Sequence, residues 1–217
     1  MGFISGLLDL VFPPRCAFCR GILKGGESGA CAACDKDIAY TGTHAESKGD
    51  FFTVCVSPLY YENGVRESII RFKFKEATAY ASVYGKYLAA CIGARLEGRY
   101  DLITWVPLSD KRLKKRGYDQ AMLLAMATAL KLEDVAVETL KKEHDVPAQS
   151  GMGGAALRQA NISGAYVVPD HELVDGKRIL LIDDIMTTGA TLSECSRMLL
   201  MAGAEEVLCA TLAITRK

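Results

Sequence analysis

Net charge gives this chain no partner: Lys plus Arg and Asp plus Glu are both 26 among 217 residues. That balance removes any overall-charge argument for nucleic acid or an acidic membrane, and leaves such a case to local patches. No Walker-type GxxxxGK[ST] is present, which excludes a P-loop. Repeats and low-complexity segments are also missing, and no apolar run is long enough to span a bilayer. The apolar opening GFISGLLDLVFPP lacks a basic flank and contains Asp9, so it reads as a short amphipathic helix rather than a signal. A cytoplasmic protein is expected. Half the residues are hydrophobic, enough for one α/β domain of ordinary size with a small appendage.

The cysteines fall into two groups. Cys55, Cys91, Cys195 and Cys209 are scattered through apolar segments, where a thiol acts as a small hydrophobe. Cys16, Cys19, Cys31 and Cys34 instead form C-x2-C-x11-C-x2-C. Two such knuckles can each turn two thiolates toward a metal and together complete a tetrahedral site, and structural zinc is the preferred reading. Iron of rubredoxin type and paired disulfides are the alternatives, the latter disfavoured in a reducing compartment. His44 could stand in for a ligand. A segment this short has almost no core, so the metal is expected to supply its folding free energy.

Residues 41–50 are polar and read as a linker, followed by a β-branched and aromatic run over 51–61 that Pro58 interrupts. Helical spacing covers 65–74, 79–95 and 118–130, with Ile69, Tyr84, Leu88 and Ile92 as expected core. Strands are expected at 102–107, 135–140, 166–168 and 206–213, and Ser109 as a helix cap. Residues 141–154 carry charges, Pro147 and three glycines, which suggests a long mobile loop ahead of a short helix at 155–160. Strands alternating with helices imply a mainly parallel sheet with right-handed crossovers.

The chemistry concentrates in ILLIDDIMTTGATL, residues 179–192. Four unbroken apolar residues read as a strand covered on both faces, which places Asp183 and Asp184 at its carboxyl end, where open α/β sheets bind ligands. Ionised carboxylates accept from neighbouring sugar hydroxyls. The threonine hydroxyls of Thr187, Thr188 and Thr191, with the N–H groups of a helix start at Gly189 and Ala190, donate to phosphate oxygens. Gly189 lets the backbone come close or take positive φ. The segment thus has the make-up of a ribose-5-phosphate cradle. A second strand end leads into Lys111, Arg112, Lys114, Lys115 and Arg116. Arg112 and Arg116 suit pyrophosphate through their planar forks, whereas the lysines equally fit a solvated basic face.

The acidic segment closely resembles the 5-phosphoribosyl-1-diphosphate (PRPP) motif of type I phosphoribosyltransferases: four hydrophobics, two acids, two residues, then Thr-Thr-Gly-x-Thr. A narrower resemblance covers nearly the whole chain. The four-cysteine pair, Tyr61-x4-Arg66 leading to Phe72-Lys73-Phe74, VPLSDKRLKKRGYDQA, then Gln149, Arg158 and Asn161, and finally the acidic motif look like the ComF/GntX family of competence-associated phosphoribosyltransferase-like proteins.

That resemblance implies a type I phosphoribosyltransferase-like α/β fold over 46–217, and an N-terminal helix and zinc module over 1–45. It implies PRPP or another ribose phosphate as ligand with Mg2+, and transfer to a nitrogen acceptor. Asp183, Asp184 and Arg158 are its catalytic candidates. Arg158 lies with Gln149 and Asn161 in the expected closing loop, residues 141–163. The 187–191 turn with Lys111, Arg112 and Arg116 is expected to bind PRPP. Family members typically have Asn where this chain has Asp119, and a carboxylate there would repel diphosphate unless Arg116 or Mg2+ compensates. The rival is an adaptor or single-stranded DNA-binding protein acting with DNA-uptake or helicase partners, with Lys73, Lys75 and the 111–116 run as its basic surface.

Overall fold

The computed structural model describes residues 13–74, 78–143 and 164–216. Its organising element is a strand whose residues 179–182 are all apolar and fully buried, so both its faces must be covered there. That strand, β7 (Arg178–Met186), runs between β4 (Leu102–Trp105) and β8 (Glu206–Ile214), parallel to both. Beyond β8 the sheet continues with β2 (Cys55–Val56) and β3 (Leu59–Tyr60), both parallel to β8, and β1 (Glu46–Ser47) closes the edge antiparallel to β2. Between β2 and β3 lies Pro58, which has no N–H for a ladder, so the expected 51–61 strand is split there. The linker expected at 41–50 is ordered, contributing a 3-10 turn at Gly42–His44 and then β1.

Side chains alternate along β7 into two cores. Leu180 and Ile182 pack with Phe72, Tyr84, Leu88, Ile92 and Leu124, which come from α2 (Asn63–Phe74), α3 (Ala81–Leu96) and α5 (Gln120–Lys131). Ile179 and Leu181 face Leu192, Cys195 and Leu199 of α6 (Ala190–Met201). Each fully buried aliphatic side chain contributes about 1.5–3 kcal/mol, and this double burial explains the unbroken apolar run. Helices α3 and α5 approach at Gly85, where an added Cβ would come within 2.8 Å of the Ala127 carbonyl carbon.

Two strands differ from expectation. Residues 135–140 make only one parallel bridge, Ile103 to Ala136, with the Val137 N–H donating to the Ile103 carbonyl at 2.9 Å. Beyond that bridge the contact with β4 is made by side chains, Thr104 Oγ1 and Thr139 Oγ1 lying 2.8 Å apart. The chain goes on into β5 (Lys141–Lys142), which pairs antiparallel with β6 (Tyr166–Val167) in a separate two-stranded sheet. In contrast, β7 does not stop before its acids. It stays paired with β8 as far as Met186 and Ile214, while β4 ends at Trp105, so Asp183 and Asp184 are terminal on one side only.

The first knuckle is part of the main core. Cys16, Ala17 and Phe18 are buried against α2 and α3, and the Phe18 ring meets Tyr84 and Tyr87 edge-on at 6.5 and 6.1 Å. Ser68 Oγ donates to the Ala17 carbonyl at 2.7 Å, and the Arg71 guanidinium donates to the Phe18 carbonyl. The expectation of a segment with almost no core is therefore corrected: it borrows the core of the helices. The expected helices at the N-terminus and at 155–160 lie outside the described residues. Among the described residues, no helix is long and apolar enough to cross a membrane.

Candidate functional site

Where β4 ends and the chain turns away at Val106 and Pro107, the end of β7 is left open on one flank. Asp184 there is only 4% exposed. Its Oδ1 accepts from Lys73 Nζ at 2.8 Å, and its Oδ2 is buried with no hydrogen-bond partner among the described residues. Asp183 Oδ1 accepts the Asp184 N–H at 2.7 Å. Burial, and then the charge of Asp184, pushes the Asp183 carboxyl well above the usual carboxylate range, with Lys73 opposing. The pair is thus an acceptor-rich, partly unsatisfied site, suited to a ligand that brings hydroxyl donors.

The 187–191 turn follows directly. Gly189 is buried in the left-handed region at φ 80°, and a Cβ there would come within 3.1 Å of Met186 Cε, so the position calls for glycine. As N-cap of α6 it brings no side-chain acceptor. The Ala190 N–H reaches Thr188 Oγ1 at 3.4 Å, a weak contact. Thr187 and Thr188 are exposed, and Thr191 is half-buried. A helix start of this kind, with hydroxyls beside it, favours an anion.

The basic segment forms α4 (Asp110–Arg116), capped as expected by Ser109, whose Oγ accepts the Arg112 N–H at 3.4 Å. Lys111, Arg112, Lys114 and Lys115 are exposed. Arg116 is half-buried, donates to Gln120 Oε1 and lies 4.7 Å over the Phe74 ring. Helix α5 starts at Gln120, two residues later than expected, because Asp119 is its N-cap. Asp119 Oδ1 accepts from the N–H groups of Ala121 and Met122 at 2.9 and 3.1 Å, and Oδ2 from that of Leu108 at 2.8 Å. The departure at this position is thus a buried cap, with its oxygens turned to backbone donors. The capping rule could have found it, since an acid immediately precedes the apolar-periodic run.

The four knuckle sulfurs all lie within 4.8 Å of one another, with Cys19 and Cys31 Sγ 3.7 Å apart. Zn–S bonds of about 2.3 Å in a tetrahedron place sulfurs about 3.8 Å apart, so the cluster fits zinc. Backbone N–H groups of Cys31 and Gly21 point to Cys16 and Cys19 Sγ, each at 3.4 Å, as suits thiolates. His44 is no member of the cluster. It lines a groove of about 320 Å³ with Ser47, Tyr60 and Arg216.

Comparison with known proteins bears on both halves. A phosphoribosyl transferase domain model matches residues 119–217, and a double zinc ribbon domain model matches 7–47. Competence protein F of Haemophilus influenzae is 30% identical over 89% of this chain and 93% of its own length. The chain belongs to the competence protein F family. Another family relative, DNA utilization protein YhgH of Escherichia coli, is 28% identical over 94% of this chain and all of its own. Among solved structures, a glutamine PRPP amidotransferase from B. subtilis aligns with a TM-score of 0.44 at 21% identity, over 64% of this chain and 30% of that one. That likeness is too loose to add to the assignment to the competence protein F family.

Against this family background, two groups near the acids went unread in the sequence. Lys73, expected on a basic surface, is instead spent on Asp184, and Phe72 beside it is core. Lys142 Nζ donates to the Tyr166 hydroxyl at 3.1 Å, and β5 bridges to Ser109 at the start of α4. Burial raises the Tyr166 hydroxyl far above its ordinary value, with the charges of Cys195 and Asp183 adding to this and Arg112 opposing it. The apolar and aromatic neighbours of Lys73 and Tyr166 gave no hint of these pairings. Lys75, Gln149, Arg158 and Asn161 lie outside the described residues. Past them the Gly164 N–H donates to Glu194 Oε1 on α6 at 2.7 Å, and Glu194 pairs with Arg197.

Proposed function

We propose that this chain binds PRPP and transfers ribose 5-phosphate to a nitrogen acceptor, releasing pyrophosphate. In this reading residues 46–217 are the phosphoribosyltransferase-like domain and 1–45 the zinc module. The observation that carries the reading is the bare, buried Asp184 Oδ2 on the strand that leads into the glycine-capped turn. A buried acceptor without a donor costs about 1–3 kcal/mol, and a sugar hydroxyl would remove that cost.

Asp183 and Asp184 take two neighbouring ribose hydroxyls, and the turn from Thr187 to Thr191 holds the 5-phosphate. Arg112 and Arg116, with Lys111, neutralise the diphosphate. The bond from C1 to the pyrophosphate oxygen breaks as the bond from C1 to nitrogen forms, with positive charge developing on the ribose ring. The protein's work is positioning and charge neutralisation. Mg2+ bound with the ligand would supply further positive charge to offset the diphosphate, beside Arg112 and Arg116. Arg158 is proposed to reach the reaction centre from the 141–163 segment.

Calorimetric titration with PRPP and Mg2+ is expected to give saturable binding, abolished in a folded Asp183→Asn/Asp184→Asn double mutant. Unchanged affinity in that mutant overturns the assignment.

A second reading draws on the relatives' names and on the exposed lysines of α4: a zinc-containing adaptor that binds single-stranded DNA in uptake or processing. It requires affinity that falls steeply with salt and weakens in Lys114→Ala/Lys115→Ala. Absent or salt-independent binding counts against it.

A further inference from the structure

Asp183, Asp184 and Asp119 form a concentration of negative charge that the cradle must tolerate when no ligand is bound. Asp119 adds to the field on Asp183, and Asp184 to that on Asp119. Among the described residues, titratable groups whose charge bears on the acids, or on which theirs bears, include Tyr166 of β6, Cys195 of α6, and Cys55 and Cys209 of β2 and β8. Of the groups named here, Lys73 of α2 alone is cationic. Like charges in a buried site drive a carboxyl toward its protonated form, and a protonated carboxyl donates where a sugar hydroxyl needs an acceptor.

Lys73 meets that demand with a specific geometry. Its ammonium lies 2.8 Å from Asp184 Oδ1, with the two side chains 20% and 6% exposed, and Asp184 Oδ2 has no partner among the described residues. The lysine is also held. On α2, Ile69 and Phe72 are buried, Ser68 and Arg71 are tied to the knuckle carbonyls, and the Phe72 carbonyl accepts the Tyr118 hydroxyl. The last turn of the helix is thereby fixed from two sides, which limits the freedom lost in placing a long side chain.

We propose that Lys73 is a built-in counter-ion for the ribose-binding acids: its ammonium fixes one oxygen of Asp184 and leaves the other for a sugar hydroxyl. This rests on the reading of the acids as a ribose site. Lys73 is a positioning residue, acting on the ligand through Asp184. It also sets a cation beside the acids before any metal arrives with the ligand.

The test uses the zinc-loaded full chain and the variants Lys73→Met and Lys73→Arg. A carbon-13 NMR titration of the Asp183 carboxyl without ligand is expected to show a higher midpoint in Lys73→Met, with wild-type behaviour restored in Lys73→Arg. An unmoved midpoint overturns the proposal. PRPP affinity at fixed Mg2+ is expected to fall about tenfold or more at pH 7 in Lys73→Met, and to recover as pH rises. It should stay within about threefold of wild type in Lys73→Arg. Loss of equal size at every pH overturns the positioning role. A wild type that binds no PRPP defeats the function proposed above, and the carboxyl titration then decides the counter-ion on its own.

Discussion

Asp183 is the residue whose placement the fold resists most. Its folded carboxyl titrates well above its unfolded value, so its stability contribution is fully present below the unfolded value and is lost as pH rises through the folded one. Asparagine cannot ionise and keeps the oxygen that accepts the Asp184 N–H. Asp183→Asn is therefore expected to stabilise the ligand-free protein at pH 8 by about 1 kcal/mol or more, roughly 2–4 °C in melting temperature, with little gain at pH 4. Thermal melts at the two pH values check this, and a variant no more stable than wild type at pH 8 contradicts it. The acids and Gly189 could be read from the sequence because they act on neighbours in the chain. The Lys73–Asp184 pair could not, since it joins a helix and a strand far apart in sequence.

Among the elements, α5 depends most on one side chain. Asp119 closes two N–H groups of its first turn and ties down Leu108, so it holds the chain leading into α4 as well as α5. Asp119→Ala is expected to lower stability by about 1–2 kcal/mol in denaturant unfolding at pH 7. Asp119→Asn, which keeps one acceptor oxygen and loses the one for Leu108, should cost less than half of that. A fully stable alanine variant would refute the capping role.

Elements with both faces buried were easy to read: the runs at 179–182 and 207–210 have no polar residue, and β7 and β8 follow from them. Residues 135–140 show what was not. Their composition fits a strand, but they meet β4 only through the Ile103–Ala136 bridge and the Thr104–Thr139 hydroxyl pair, and composition does not say where two segments run close enough to form a ladder. The same limit hid the true end of β7, which is set by β8 and not by the acids.

At the scale of the whole molecule, the cysteine cluster and the main core are one packing unit. Phe18, Tyr84 and Tyr87 join them by ring contacts, and Cys16 lies in the same buried cluster as Leu88 and Ile92. Stripping the metal with a chelator is expected to lower a single melting transition of the entire chain by several degrees or more. Two separate transitions, with the second unmoved, would show that the knuckles unfold alone. The cysteine spacing announced the metal site, but nothing in it announced this union, because Ala17 and Phe18 bond through backbone carbonyls and a ring that any sequence could carry.

The order of strands across the sheet has a consequence in time. β2 and β3, made well before β8, find in it their parallel neighbour among the described residues, with Ser57 bonded to Thr211 at 2.7 Å across 154 residues of sequence. Until β8 leaves the ribosome, the early strands have no such partner, and the hydrophobic surface meant for it stays uncovered. Contacts this distant in sequence close slowly. β8, made long after β2 and β3, thus sets the moment at which the acid pair, the phosphate turn and the metal knuckle can first belong to one folded body.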